Sequence, residues 1–162
     1  MDHDRYEDAY IKAILNETKT VAMVGASPNV MRPSFFVLKY LLEKGYTVYP
    51  VNPGHAGKEI CGQTVYATLS DLPRPVDMVD VFRASEHVLP IVEEAIAIGA
   101  KCVWMQLGVR NDEAAKAAED AGLKVVMNRC PKIEFGRLSR EIGWIGVNSR
   151  RISSKRKPAV GS

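Results

Sequence analysis

The chain has 162 residues, 46% hydrophobic and 25% charged, which suits one domain with its own core and excludes wholesale disorder. No apolar run approaches the ~20 residues that span a bilayer; the acidic opening MDHDRYEDAY has no signal-like stretch, and three scattered cysteines (Cys61, Cys102, Cys130) argue against a disulfide framework or a zinc site. The net charge is +3, but residues 149–162 alone carry +5 and no acid, so residues 1–148 carry −2 and the excess does not mark a basic binding face.

The elements alternate along the chain. Residues 4–16 predict an amphipathic lead-in helix. Residues 20–24 (TVAMV) read as a first strand stopped by Gly25. Pro33 opens a helix over 33–44, where Phe35, Leu38, Leu41 and Leu42 recur at helical spacing and Gly45 follows as a stop. Residues 46–51 form a second strand ended by Asn52-Pro53-Gly54. Ile60 and Val65 suggest short extended pieces in an irregular stretch. A third main strand is expected at 77–82, then a helix from Ser85 to Ile98 with Val88, Ile91, Val92, Ala95 and Ile98 inward. A fourth strand at 101–105 precedes a helix over 112–121 that Asn111 can cap. A fifth strand covers 123–127 and a short helix 132–141.

Strands separated by helices of ~12 residues imply right-handed βαβ units, and near-continuous apolar strands imply a sheet buried on both faces. The expected fold is α/β: Rossmann-like and doubly wound, with a mostly parallel five- to six-stranded sheet and helices on both faces. Residues 1–148 are expected to form this single domain. Residues 149–162, rich in Ser with Pro and Gly, predict a disordered, solvated tail. A cytoplasmic location is expected, with neither membrane nor nucleic acid as partner.

In open α/β sheets the ligand lies beyond the carboxyl ends of the strands, where strand order reverses. Polar, Gly and Pro residues gather at all five predicted strand ends. The loop GASPNVMRPS joins the first strand to a helix N-terminus, a geometry that aims backbone N–H groups at an anion. There Gly25 permits a tight turn, Ser27 and Ser34 offer hydroxyls, and Arg32 offers a fork to a pyrophosphate. The dinucleotide fingerprint GxGxxG is only partly met, since Ser27 and Val30 stand where glycines would. A plain βα turn with a surface arginine is the alternative. The second strand ends in Asn52 without the acid that holds an unmodified ribose, and His55 and Lys58 follow. That favours a ribose carrying a phosphate, as in coenzyme A or NADP, over NAD; a merely solvated loop is the alternative.

The motifs GASPNVMRPS, YPVNPG, VDMVDVFR, VWMQLGV and NRCPKIE, in this order and spacing, resemble the stand-alone CoA-binding domain proteins, which are similar to the N-terminal domain of the succinyl-CoA synthetase α subunit. The resemblance spans residues 10–140. It implies that Gly25, Ala26, Ser27, Arg32, Pro33 and Ser34 face the phosphates and that Asn52 and Pro53 border the adenosine. It further implies Phe82 and Arg83 at the third strand end, and Gln106 and Gly108 near the pantetheine arm. Arg83 is read either as a phosphate ligand or as a salt bridge to Glu86 or Asp80. The synthetase passes phosphate through a histidine on a second domain. Here only His3, in an expectedly flexible start, His55 and His87, on the surface, are available, so no ligase activity and no catalytic residue is expected.

The remaining chemistry-bearing residues have structural readings. Asp77 and Asp80 read as strand-end caps or a salt bridge and Trp104 as core. Cys130 reads as a buried inert thiol, though Arg129 beside it could lower its pKa. Trp144 belongs to an apolar patch that covers a sheet edge or meets another subunit. The expected function is non-catalytic binding of coenzyme A or acyl-CoA, with a second copy or a partner enzyme as protein partner. An NADP-linked reductase, or the nucleotide-binding half of a two-chain CoA ligase, is the alternative.

Overall fold

The computed structural model describes residues 1–139; the basic tail and the patch around Trp144 lie outside the described residues. Five strands form a wholly parallel sheet: β1 (Thr20–Val24), β2 (Thr47–Val51), β5 (Met78–Val81), β6 (Cys102–Met105) and β7 (Lys124–Val126), in the order β2-β1-β5-β6-β7. Between β2 and β5 the chain makes a two-stranded antiparallel hairpin, β3 (Glu59–Ile60) with β4 (Gln63–Thr64), turned by Cys61 and Gly62 at φ 51° and 79°. The predicted α/β sheet is thus present, with every predicted strand within a residue or so of its place.

Alternation along the strands divides the core into two layers. Ala22, Val24, Val79, Val81 and Val103 pack under α3 (Val88–Ala97) and α4 (Asp112–Asp120). Val21, Met23, Met78, Trp104 and Val126 pack under α1 (Asp8–Glu17), α2 (Pro33–Glu43) and α5 (Pro131–Arg137). A single 3-10 turn, Ser85–His87, leads into α3, so the helix expected from Ser85 starts three residues later. None of the described helices is long and apolar enough to cross a membrane.

The amino-terminal segment departs from expectation. The helix begins at Asp8, four residues after the predicted start, because residues 3–7 are held against the edge strand β7 instead. Tyr10 donates its hydroxyl proton to Val125 O (2.9 Å) and accepts from Val125 N–H (3.1 Å), while Tyr6 Oη accepts from Met127 N–H (2.8 Å). These two phenols occupy outward backbone groups that an edge strand would otherwise offer to another chain. Burial pushes the Tyr10 hydroxyl up to about 12, so it stays a donor. His3 is not flexible: it is 8% exposed, with Nδ1 on Tyr6 Oη (2.7 Å) and Nε2 on Glu119 (3.3 Å).

The two aspartates just before and within β5, Asp77 and Asp80, part ways. Asp77 is the expected cap and ion pair: its carboxylate accepts from the N–H groups of Lys19 (2.8 Å) and Thr20 (3.2 Å) and faces Lys101 Nζ at 3.6 Å. Burial alone would raise its pKa, but those hydrogen bonds and the lysine outweigh it and hold the carboxyl below its ordinary value. Asp80 contradicts the expectation. It is 0% exposed, neither carboxyl oxygen has a partner, and its ladder neighbours are Met23 and Trp104. Three residues on from Asp77, it lies well inside a sheet covered on both faces, where no cap or counter-ion reaches. Burial holds its carboxyl well above the usual carboxylate range.

An acid raised in this way is more protonated in the native state than in the unfolded chain. Its contribution is intact below the unfolded value of about 3.9 and is lost as pH rises toward the folded one. Stability should fall by up to about 1.4 kcal/mol per pH unit across that window, and Asp80→Asn should remove the slope. Urea unfolding at pH 5, 6 and 7 checks this; parallel slopes in the two proteins would refute it.

Candidate functional site

The sheet order reverses between β1 and β5: the chain steps outward from β1 to β2, then returns to lay β5 on the other side of β1. The strand ends on either side of that point touch. Gly25 has φ +90°, and a Cβ placed on it would stand 2.9 Å from the carbonyl oxygen of Phe82 and 3.1 Å from Arg83 Cδ. The glycine is required by this close approach as much as by the turn. Gly25 N–H donates to Val51 O (2.9 Å), which ties the start of the loop to β2.

The loop from Gly25 to Ser34 is folded on itself. Ser27 N–H donates to Ser34 Oγ (3.2 Å), Asn29 N–H to Ser27 Oγ (3.1 Å), Met31 N–H to Asn29 Oδ1 (2.9 Å) and Arg32 N–H to Asn29 O (3.0 Å). The expectation that its amides converge as a set is therefore corrected: five are engaged by protein acceptors, and Pro28 and Pro33 have none to offer. Among the described residues, the amides of Ala26, Val30 and Ser34 and the hydroxyl protons of Ser27 and Ser34 have no protein acceptor. Arg32 and Arg83 are exposed, and among the described residues neither forms an ion pair. The alternative that Arg83 bridges to Asp80 or Glu86 is not realised.

Beside the loop opens a cleft of about 590 Å³. One wall is Met31, Pro33, Phe36 and Val37, at the start of α2. The strand ends supply Phe82 to Ala84 and Gln106 to Val109, and α5 with its cap supplies Cys130, Lys132 and Ile133. Of the predicted residues, Pro33, Phe82, Arg83, Gln106 and Gly108 line it; Gly25, Ala26, Ser27, Arg32 and Ser34 belong to the adjoining loop. Gln106 is 6% exposed, and its Oε1 is buried without a donor. Gly108 N–H is taken by Asn128 Oδ1 (2.8 Å).

Asn52, Pro53 and Lys58 lie outside the cleft, at the end of β2. The Asn52 carboxamide is engaged at both ends: Nδ2 donates to Ala26 O (2.9 Å) and Oδ1 accepts from Gly54 N–H (3.0 Å). It positions the loop. Pro53 and Lys58 are exposed, and Lys58 Nζ is 3.4 Å from His55 Nδ1. Trp104 is core as expected, 0% exposed, with Nε1–H donating to Arg129 O (2.9 Å). Arg129 turns away from Cys130: its guanidinium lies 5.1 Å from the Tyr6 ring centroid and donates to Asn128 O (2.9 Å) and Asp4 O (3.3 Å).

The apolar rim of the cleft was missed. Met31, Phe36, Leu107 and Ile133 are large, exposed hydrophobics that no sequence argument singled out. Phe36 carried a signal: α2 has more apolar residues than one buried stripe needs. Its stripe is Ser34, Val37, Leu38 and Leu41, not the expected set with Phe35 and Leu42, which are half-buried.

Residues 19–136, well over half of the chain, match the family model described as CoA binding domain. The chain belongs to that family. It is 36% identical over 125 residues to the uncharacterized protein YneT of Bacillus subtilis, covering 77% of this chain and 91% of YneT. A hypothetical protein of Pyrococcus horikoshii, of known structure, superposes with a TM-score of 0.81 at 43% identity, covering 86% of this chain and 96% of that one. The chain is also 29% identical, over 85% of its length, to an ADP-forming acetate–CoA ligase of Archaeoglobus fulgidus, of which it spans only 21%.

Gly25→Ala should destabilise the fold by about 2–4 kcal/mol, because a left-handed φ and a backbone oxygen both oppose the methyl group. Denaturant unfolding measures this; stability within 0.5 kcal/mol of the parent, on the order of a neutral surface change, would show that β1 and β5 are not held in this contact.

Proposed function

We propose that the chain binds coenzyme A or an acyl-CoA across the carboxyl ends of its sheet without turning it over. The observation that carries this reading is the juxtaposition at the strand-order reversal. The amide of Ser34, the hydroxyl donors of Ser27 and Ser34 and the guanidinium of Arg32 lie in the loop beside the cleft, and Arg83 lines it; among the described residues neither guanidinium has an ion-pair partner. Backbone and hydroxyl donors beside arginines suit a pyrophosphate. The adenosine end then lies toward β2, where the Asn52 side chain is bonded to the backbone of Ala26 and Gly54 and the strand ends in Asn52 rather than in an acid. Lys58 is a cation available to that phosphate, with its Nζ 3.4 Å from His55 Nδ1.

NADP carries a ribose phosphate too. Membership of the CoA binding domain family and the likeness to an acetate–CoA ligase favour coenzyme A. Binding without chemistry is supported by the lining: Cys130, its thiol, has no hydrogen-bonded base among the described residues. His55 and His87 lie outside the lining, and His3 is engaged behind β7. As the chain spans about a fifth of the ligase, a role as the nucleotide-binding part of a larger assembly remains the second reading.

A thermal-shift series with CoA, dephospho-CoA, NADP and NAD tests the assignment. A ligand at 100 times its Kd adds about 2.7 kcal/mol; stabilisation by NADP but not CoA would overturn it. Arg32→Ala should weaken CoA binding by about 1.5–3 kcal/mol, and more so at low salt. Lys58→Ala should weaken CoA but leave dephospho-CoA, which lacks the ribose phosphate, unchanged. Calorimetry measures both; equal losses for the two ligands would move the ribose phosphate away from β2.

A further inference from the structure

Four solvated apolar side chains converge on the cleft from three separate segments. Met31 leads into α2 and Phe36 lies on it, Leu107 follows β6, and Ile133 is on α5; they are 78%, 51%, 54% and 53% exposed. Met1 and Val30 are the other large hydrophobics exposed to this degree among the described residues, and Val30 adjoins Met31. Scattered apolar surface needs no explanation, but convergence around one concavity marks a place that something apolar covers.

The order of the sheet says which part of the ligand that is. With β2-β1-β5-β6-β7 in a row, an adenosine over β2 and phosphates at the junction of β1 and β5 leave the ligand running toward β6 and α5. Its far end, the sulfur and whatever is attached to it, arrives among Phe36, Leu107 and Ile133. Gln106 lines the cleft before that end, and its Oε1 is buried without a donor among the described residues. Two charged residues share the lining: Arg83, whose Cδ lies beside Gly25, and Lys132, whose Nζ lies 5.7 Å from the Tyr40 ring centroid. A bare thiol would leave the rim in water, whereas a hydrocarbon chain would cover it.

We propose that this cleft is an acyl-chain site, and that the chain's preferred ligand is an acyl-CoA with an apolar acyl group of several carbons rather than free CoA or acetyl-CoA. The inference rests on the CoA-binding reading. Titration calorimetry with CoA and its acetyl, butyryl, hexanoyl and octanoyl thioesters tests it. Affinity should rise by up to about fourfold for each methylene buried, then level off. Leu107→Ser and Ile133→Ser should flatten the rise; both residues are more than half exposed, so neither change disturbs the core. A flat or falling series with free CoA still bound would overturn the acyl site and leave the CoA reading intact. A flat series together with a dimer that Leu107→Ser dissociates would assign the rim to a second copy and equally overturn it. Failure of every thioester and of CoA itself would overturn the CoA reading.

Discussion

The carbonyl oxygen of Phe82 lies where a side chain on Gly25 would have to be, and much of the site follows from that contact. With β1 and β5 pressed together at their ends, the chain must leave β1 sharply, and the loop to α2 runs beside the start of the loop after β5. Arg83 is thereby brought next to Gly25, although 57 residues of chain separate the pair. The cleft opens where these loops and those after β6 and β7 diverge. A sheet whose strand order reversed elsewhere would carry the same loops but not the same neighbours.

Around that contact, backbone polarity is satisfied by a small set of side chains. Asn52 ties the loop to the end of β2, Asn111 caps α4 by accepting from Ala114 N–H, and Asn128, at φ 57°, holds the loop after β6. Tyr6 and Tyr10 do the same for the edge of β7. Against this background the unpaired groups stand apart. Gln106 lines the cleft, with its Oε1 buried and without a donor among the described residues. Asp80 does not line the cleft, and burial holds its carboxyl well above the usual carboxylate range. Buried polar groups without partners are costly and few in folded proteins, so each constrains what the surrounding structure must do.

Several residues read from sequence took other roles once the fold was present. Asn52, expected to border the adenosine, also ties the loop down, with both ends of its carboxamide bonded to backbone. The loop does not present its amides as a common anion cradle: four of its eight are closed on Ser27, Asn29 and Ser34, because Ser and Asn side chains let a loop bond to itself. Arg129 was read beside Cys130 by adjacency in the chain, and its guanidinium goes to Tyr6. His3 and Tyr6 were part of an unremarkable start and became the cover of a sheet edge. In each case the partner lies far along the chain or depends on which way a side chain turns.

The sequence by itself determined the elements, their parallel arrangement, and the gathering of Gly, Pro and polar residues at the strand ends, because helix and strand periodicities and turn chemistry are local properties of the chain. Its motifs also carried the family. Only the tertiary structure decided that β5 returns to the far side of β1, that Asp80 is sealed in the core without a partner, and that Met31, Phe36, Leu107 and Ile133 meet at one cleft. Those are relations between distant segments: they arise from how layers pack, and no local pattern of residues records which surfaces will face one another.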